Sequence, residues 1–457
     1  MPRSKWIWVF VSLPLLILIL FILRFRVEAP LADEWNLVPL IDKLYKGTLQ
    51  FKDLWALHNE HRLLFPRMLL LVLVHIGHWT MLYELLVIVA FALVTFFAVL
   101  FLLKKIHFSP DVPAAWLTPV FSFMFFSLNQ SENWFFGWNV QIFMSVAAVT
   151  LGLILVGGVK ISWPRLIAAA ALGIVATYSF ANGFLFWPLA ILLLWQERKS
   201  LNHPVMVFAF WIAVAAISFF SYLVGYTSPG GRPSPWSFLH DPVSALNYTF
   251  AYLGSPLMAF CKKAPFVAQW LALQGFIVPK SIQWLARNSA SFAGLFGVMI
   301  FVFAYFRLRG HESWKTLMIF FALAAYALLS AILSTIGRSG LGIESALSLR
   351  YVTISTLFWI SLILFLAVGA GLRPDRPPRI RAPEICIGLI LFCLLLNSIY
   401  GALYAVKIHN YLMPARAELL RMQDENLLER LYPDVDYIRK SVPVMQRYRL
   451  SVFREKR

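Results

Sequence analysis

The sequence predicts an all-α, polytopic transmembrane helical bundle of about eleven spans, and three observations carry that expectation. Of its 457 residues 60% are hydrophobic and only 14% charged, far more apolar surface than a soluble core of this length needs. Apolar runs near the length that crosses a bilayer as a helix recur along the chain. Lysines and arginines gather in alternate connections between those runs.

The first run, WIWVFVSLPLLILILFILRF, follows Arg3 and Lys5. It is too long for a signal-peptide core and no small-residue cleavage site follows it, so it reads as a retained first span. Further runs fall near 82–103, 114–128, 140–159, 166–180, 184–196, 205–225, 290–306, 316–335, 351–370 and 385–406. The segment 63–79, LLFPRMLLLVLVHIGHW, is different. Its uninterrupted apolar stretch is only MLLLVLV, and helical spacing puts Arg67, His75 and His78 on one narrow face. That is the pattern of a helix lying in the membrane interface, polar side up.

With 63–79 held outside, the inner loops hold Lys104 and Lys105, Lys160 and Arg165, Arg198 and Lys199, Arg307 and Arg309, and RPDRPPRIR (373–381). The short outer connections 129–139 and 181–183 hold no Lys or Arg. The positive-inside rule then sets the N-terminus in the cytoplasm and the C-terminus outside, in a cell inner (plasma) membrane. Outer segments are the first loop, 26–81, with 226–289 and 336–350. The chain divides into a transmembrane domain, 1–406, and an extracytoplasmic helical tail, 407–457. In that tail PARAELLRMQDENLLERLYPD sets Leu420, Leu427 and Leu431 at helical spacing.

Composition also excludes classes of function. Three cysteines, Cys261, Cys386 and Cys393, make no disulfide framework and read as packing residues. The net charge of +18 suits anionic headgroups or a phosphorylated substrate, and no nucleic-acid partner is expected. No inner loop resembles a nucleotide-binding motif.

The polar clusters all fall outside: Asp33-Glu34, HNEHR (58–62), NQSENW (129–134), ANGF (181–184) and GRSGLGIESALSLRY (337–351). An adjacent acid pair at a membrane exit can bind a sugar hydroxyl and take its proton, and a nearby arginine can hold a departing phosphate. The plainer reading of Asp33 and Glu34 is a pair of acids at the positive end of a helix. His58, Glu60 and His61 are a workable divalent-metal set, but H-x-x-H also arises from interfacial hydrogen bonding, and no metal or other cofactor is assigned. Arg62 and Arg67 either reach a phosphate or snorkel to headgroups. Arg338 and Arg350 bracket a glycine-rich loop, either anchoring span ends or gripping phosphate bidentately. Glu132 and Asn133 line a cavity or cap the next helix, and Asn182-Gly183 reads as a helix-end turn.

These residues resemble the GT-C superfamily, integral-membrane glycosyltransferases that use polyprenyl-phosphate sugars. Within it the chain is similar to protein O-mannosyltransferases and to bacterial lipid A aminoarabinose and glycosyl transferases. Those proteins carry an Asp-Glu or similar acidic motif early in the first outer loop, matched by Asp33-Glu34. A His-Pro-Pro-Leu-type segment then opens a helix parallel to the membrane, and HNEHRLLFPRML stands in its place without the Pro-Pro. LSLRYVTIS (347–355) resembles the Arg-Tyr start of a late span in bacterial relatives. The likeness covers the layout of the whole chain, but its sharp motifs cover only the N-terminal part up to the end of the first outer loop.

The resemblance implies transfer of a sugar from a polyprenyl-phosphate donor to an envelope glycan, lipid or protein. Asp33 is the expected general base and Glu34 a substrate or hydrogen-bond partner. Phosphate binding attaches to Arg350, with Tyr351, by that likeness, and to Arg338 by charge and location alone. His58, His61 and Arg62 complete the candidate substrate set. Two rivals stand beside this reading. RSGLG (338–342) spells an Arg-x-x-x-Gly pattern of O-antigen polymerases and ligases, though those place their key residues in late loops. A transporter or lipid flippase needs ionisable residues or broken helices at mid-membrane, and here the charges gather at one surface.

Overall fold

The structure, a computed structural model, describes residues 5–108, 114–158, 161–227, 236–263, 269, 278–370 and 382–454. From the N-terminus, α1 (Lys5–Phe25) leads through a 3-10 turn, Ala32–Leu37, into α2 (Val38–Tyr45). A two-stranded antiparallel hairpin, β1 (Leu57–His58) with β2 (His61–Arg62), precedes α3 (Leu64–Gly77). Next come α4 (Met81–Leu103), α5 (Leu117–Phe126), α6 (Val140–Val156), α7 (Trp163–Thr177), α8 (Phe186–Gln196) and α9 (Pro204–Leu223). The last are α10 (Pro242–Met258), α11 (Lys280–Arg307), α12 (Trp314–Arg338), α13 (Val352–Ala370), α14 (Ala382–Glu418) and α15 (Val435–Arg447).

Among the described residues eight helices are long and apolar enough to cross a bilayer, namely α1, α4, α6, α9, α11, α12, α13 and α14. The chain is an all-α, multi-pass membrane protein. The runs expected at 114–128, 166–180 and 184–196 fold as the shorter helices α5, α7 and α8.

The packing is that of a protein dissolved in lipid. At the centre α13 is apolar on every side and buried from Val352 to Val368, as a helix with no polar face must be. At the rim Phe220, Phe303 and Leu403 stand 66–68% exposed, which favours a hydrocarbon solvent. Between rim and centre α10 and α11 cross closely. A Cβ on Gly254 would strike the Ala290 carbonyl, and one on Gly294 the Phe250 carbonyl, so this crossing needs glycine on both helices.

One expectation fails here. Residues 226–289 hold more than an outer loop, because α10 runs inside the bundle with Ala251, Tyr252 and Leu253 fully buried. Ser244, Asn247, Thr249 and Ser255 dilute its hydropathy, and α11 begins a full ten residues before the expected 290.

The two ends of the bundle differ in chemistry. The His107 main-chain N–H donates to Ser313 Oγ (2.9 Å) and Lys315 pairs with Glu197 (2.7 Å). These bonds gather Lys104, Lys105, Arg198, Lys199, Arg307 and Arg309 at one basic end. Lys160 and RPDRPPRIR (373–381) lie outside the described residues. The hairpin, the turns near 132 and 181, and the 338–351 segment meet at the opposite end.

Helix α3 keeps both of its ends at that opposite end. Its start follows the hairpin, and just past its finish the His78 carbonyl accepts from the Ser451 N–H (3.0 Å). The expected polar-side-up orientation is only half met. His75 and His78 are exposed, but Arg67 turns inward and donates through Nη1 to the Leu54 (3.0 Å) and Ala56 carbonyls. A buried guanidinium without a carboxylate takes main-chain dipoles instead. If α3 does not cross, Leu57→Cys and Tyr83→Cys in a background lacking native cysteines are both modified by an impermeant thiol reagent from one face. Modification of only one from that face would reverse the topology from α4 onward.

The tail also departs from expectation. Instead of a helix through 414–434, α14 runs on to Glu418, whose carboxylate accepts the N–H groups of Gln423 (2.5 Å) and Asp424 (2.9 Å) and turns the chain. Leu428 and Leu431 are buried while Leu420 is exposed. The amphipathic helix is α15, beyond the predicted stretch. Tyr448 stacks on Tyr45 (4.4 Å) and donates to Asp42 (3.2 Å), and the Leu431 carbonyl accepts from the Ala32 N–H (2.7 Å). The tail therefore straps the turn that carries Asp33.

Candidate active site

The hairpin is built first. Asn59, at φ +52°, makes the tight turn between β1 and β2, a backbone that asparagine tolerates better than most residues. Arg62 then locks it. Its Nε donates to the Tyr222 carbonyl (2.7 Å), Nη1 to the Trp55 carbonyl (2.7 Å) and Nη2 to the Val224 carbonyl, with the guanidinium 5.0 Å from the Trp55 ring. Arg62 is 3% exposed and does not line the cavity described below. As a phosphate ligand it is corrected: this guanidinium ties the first loop to α9.

The hairpin holds His58 and His61 over a cavity of about 570 Å³ at the end away from the basic loops. Asp33, His58, Glu60, His61, Arg338, Arg350 and Tyr351 all line it. His58 Nε2 lies 3.4 Å from Asp33 Oδ2, with the imidazole edge-on to Trp138 (4.9 Å). His61 Nδ1 accepts from the Ala181 N–H (3.3 Å), which directs its other nitrogen, as the N–H, toward Glu60 Oε1 (3.4 Å). Among the described residues no three His, Cys, Asp or Glu side chains converge as a metal site.

The two arginines are in different electrostatic states. Arg338 pairs with Glu60 Oε1 (3.1 Å) and donates to the Tyr351 hydroxyl (2.7 Å). Arg350 has no carboxylate partner among the described residues, and its side chain donates only from Nε to Ser348 Oγ (3.0 Å). Its backbone is firmly held. The Arg350 N–H donates to Glu132 Oε2 (3.1 Å), and Asn133 Nδ2 donates to the Arg350 carbonyl (2.9 Å). Glu132 and Asn133 thus fix the turn that presents Arg350. Arg350 also lines a second, mostly apolar cavity of about 230 Å³, walled by Leu31, Phe135, Phe136, Ala405 and Ile408 with Glu132 and Tyr404 beside the guanidinium's turn.

Glu34 is not at the cavity. It is 1% exposed, and its carboxylate accepts the N–H groups of Leu31 (2.8 Å) and Trp138 (3.1 Å). This corrects its expected contact with substrate. Burial pushes Glu34 up to about 7, against the pull of those main-chain donors.

Other lining residues are not assigned to a site by the sequence. Asn182, read as a helix-end turn, faces the cavity, as do Asn139, Gln141 and Tyr252. Tyr252 comes from the helix that hydropathy hides and stacks on Tyr351 (4.6 Å). The repeated polar interruptions of α10 are the signal that could have found it.

No family model and no curated protein matches the chain. Its fold is similar to the crystal structure of ArnT from Cupriavidus metallidurans bound to undecaprenyl phosphate. That match has 13% sequence identity and a TM-score of 0.43, covering 99% of this chain and 78% of that one.

Proposed function

We propose that the chain is a membrane glycosyltransferase that moves a sugar from a polyprenyl-phosphate donor onto an acceptor hydroxyl, on the outer side of an inner (plasma) membrane. The convergence of Asp33 and Arg350 in one cavity, at the end opposite the basic loops, carries this reading. A base and an anion partner must flank the reacting carbon, and a lipid-borne donor puts that carbon at headgroup depth. The mostly apolar cavity that shares Arg350 suits the first units of a lipid chain whose phosphate meets the guanidinium, since Glu132 on its wall is already engaged by Ser348 and the Arg350 N–H.

In this reaction the acceptor oxygen attacks the anomeric carbon in line while Asp33 takes its proton. The bond from the anomeric carbon to the phosphate oxygen breaks and its electron pair leaves with the lipid phosphate. Such a single displacement inverts the anomeric centre. His58 orients the Asp33 carboxylate. Arg338, already paired with Glu60, fixes Tyr351 and the cavity wall, so Arg350 is the cation available for phosphate.

The test is transfer of radiolabelled sugar from a polyprenyl-phosphate pool into membranes with and without the protein. Arg350→Ala is expected to weaken donor use by about one to two decades, since a charge-assisted bond is worth roughly 1.5–3 kcal/mol. Unchanged donor dependence in this variant would reduce Arg350 to a headgroup anchor.

A further inference from the structure

Glu84 lies in an apolar helix and the reaction above does not use it. It is 1% exposed, and Trp79 Nε1 donates to its Oε1 (2.8 Å). Its Oε2 is buried with no donor facing it. A Cβ at Gly137 would collide with that oxygen and with Glu34 Oε1, so the two carboxyl groups meet over the Gly137 backbone. Two bare carboxylates cannot share so dry a space. Glu34 already receives main-chain N–H groups, which favour its anionic form, whereas Glu84 Oε2 receives none.

We propose that Glu34 and Glu84 share one proton, Glu84 Oε2–H donating to the Glu34 carboxylate, and that this pair is a positioning device for Asp33. Through Leu31 and Trp138 the Glu34 carboxylate joins the chain on one side of Asp33 to the turn that carries the wall of the cavity. The first loop is thereby pinned to α4 and to the turn before α6. Losing the proton would leave two adjoining anions and push that turn off its seat.

The charged surroundings of the pair are few. Asp33 adjoins it on its own turn, and His58 lies against the far side of Trp138. Glu28, also pushed up by burial, accepts from the Met81 N–H (3.0 Å) with Arg26 and Arg454 nearby. No cation among these contacts either carboxyl of the pair. Burial raises Glu34, which fits a pair that keeps one proton between its two carboxyls when folded, and the stabilising contribution of that proton is lost as pH rises through the pair's folded ionisation.

Two measurements test the pair, and only the second depends on the glycosyltransferase reading. Near neutral pH the infrared spectrum of purified protein should contain a protonated, buried carboxyl band that is missing in Glu84→Gln. The wild-type band should decay on titration to alkaline pH as the pair gives up its last proton, which needs no variant. In the transfer assay, wild-type rate should fall about tenfold per pH unit beyond the pair's last ionisation. Glu84→Gln keeps a permanent amide donor, so it should retain the neutral rate within about fivefold and lose the alkaline limb. Glu34→Gln should do worse, because its amide would set an N–H against the Leu31 or Trp138 N–H. Absence of the band in wild type, its persistence in Glu84→Gln, or an unaltered alkaline limb in that variant would overturn the pair. A correct band in a protein that transfers no sugar would leave the pair standing and remove the enzyme reading instead.

Discussion

Asp33→Asn is expected to lower sugar transfer by about 10²–10⁴-fold, the usual contribution of a general base, with protein level and topology unchanged. The carboxylate is half exposed to the cavity, with His58 its one ionic contact among the described residues, so an amide of the same shape costs the fold little. The loss should appear in turnover more than in donor binding, because the proposed phosphate contact lies on Arg350. Near-full turnover in Asp33→Asn would remove Asp33 from the chemistry. Glu34→Gln would not then inherit the role, since Glu34 faces away from the cavity.

Arg62→Ala is expected to act on folding instead. It would leave the carbonyls of Tyr222, Trp55 and Val224 without their donor, and the Tyr222 carbonyl, the buried one of the three, would cost about 1–3 kcal/mol before relaxation. Thermal unfolding in detergent should shift to markedly lower temperature, and protease should cut within residues 55–62 where wild type resists. A variant of wild-type stability with weakened donor affinity would return Arg62 to the phosphate and displace the account given above.

The contrast between these residues shows what a sequence of this kind can reveal. Hydropathy and loop charge located the end of the molecule where Asp33, His58, His61, Arg338, Arg350 and Tyr351 meet, because partitioning between lipid and water acts on segments. Orientation within a segment is decided by neighbours far away in the chain. Arg62 turned inward to carbonyls of a helix some 160 positions later, and Glu34 turned toward Trp138, so neither could be placed from spacing. Glu84 was hidden for a different reason. One carboxyl in a long apolar run barely alters its hydropathy, and nothing local shows that a second acid waits beside it. Helix α10 escaped because polar residues that satisfy each other inside a bundle look, in sequence, like residues that need water.

The strap between the tail and the first loop has a consequence for biosynthesis. The Ala32 N–H finds its acceptor on Leu431 and the His78 carbonyl finds its donor on Ser451, so the turn next to Asp33 is completed by residues that follow α14 in the chain. A ribosome-bound chain that has inserted its spans still lacks this fastening, and contacts so distant in sequence form late. On the function proposed above, a chain that has not yet reached the strap is expected to transfer no sugar.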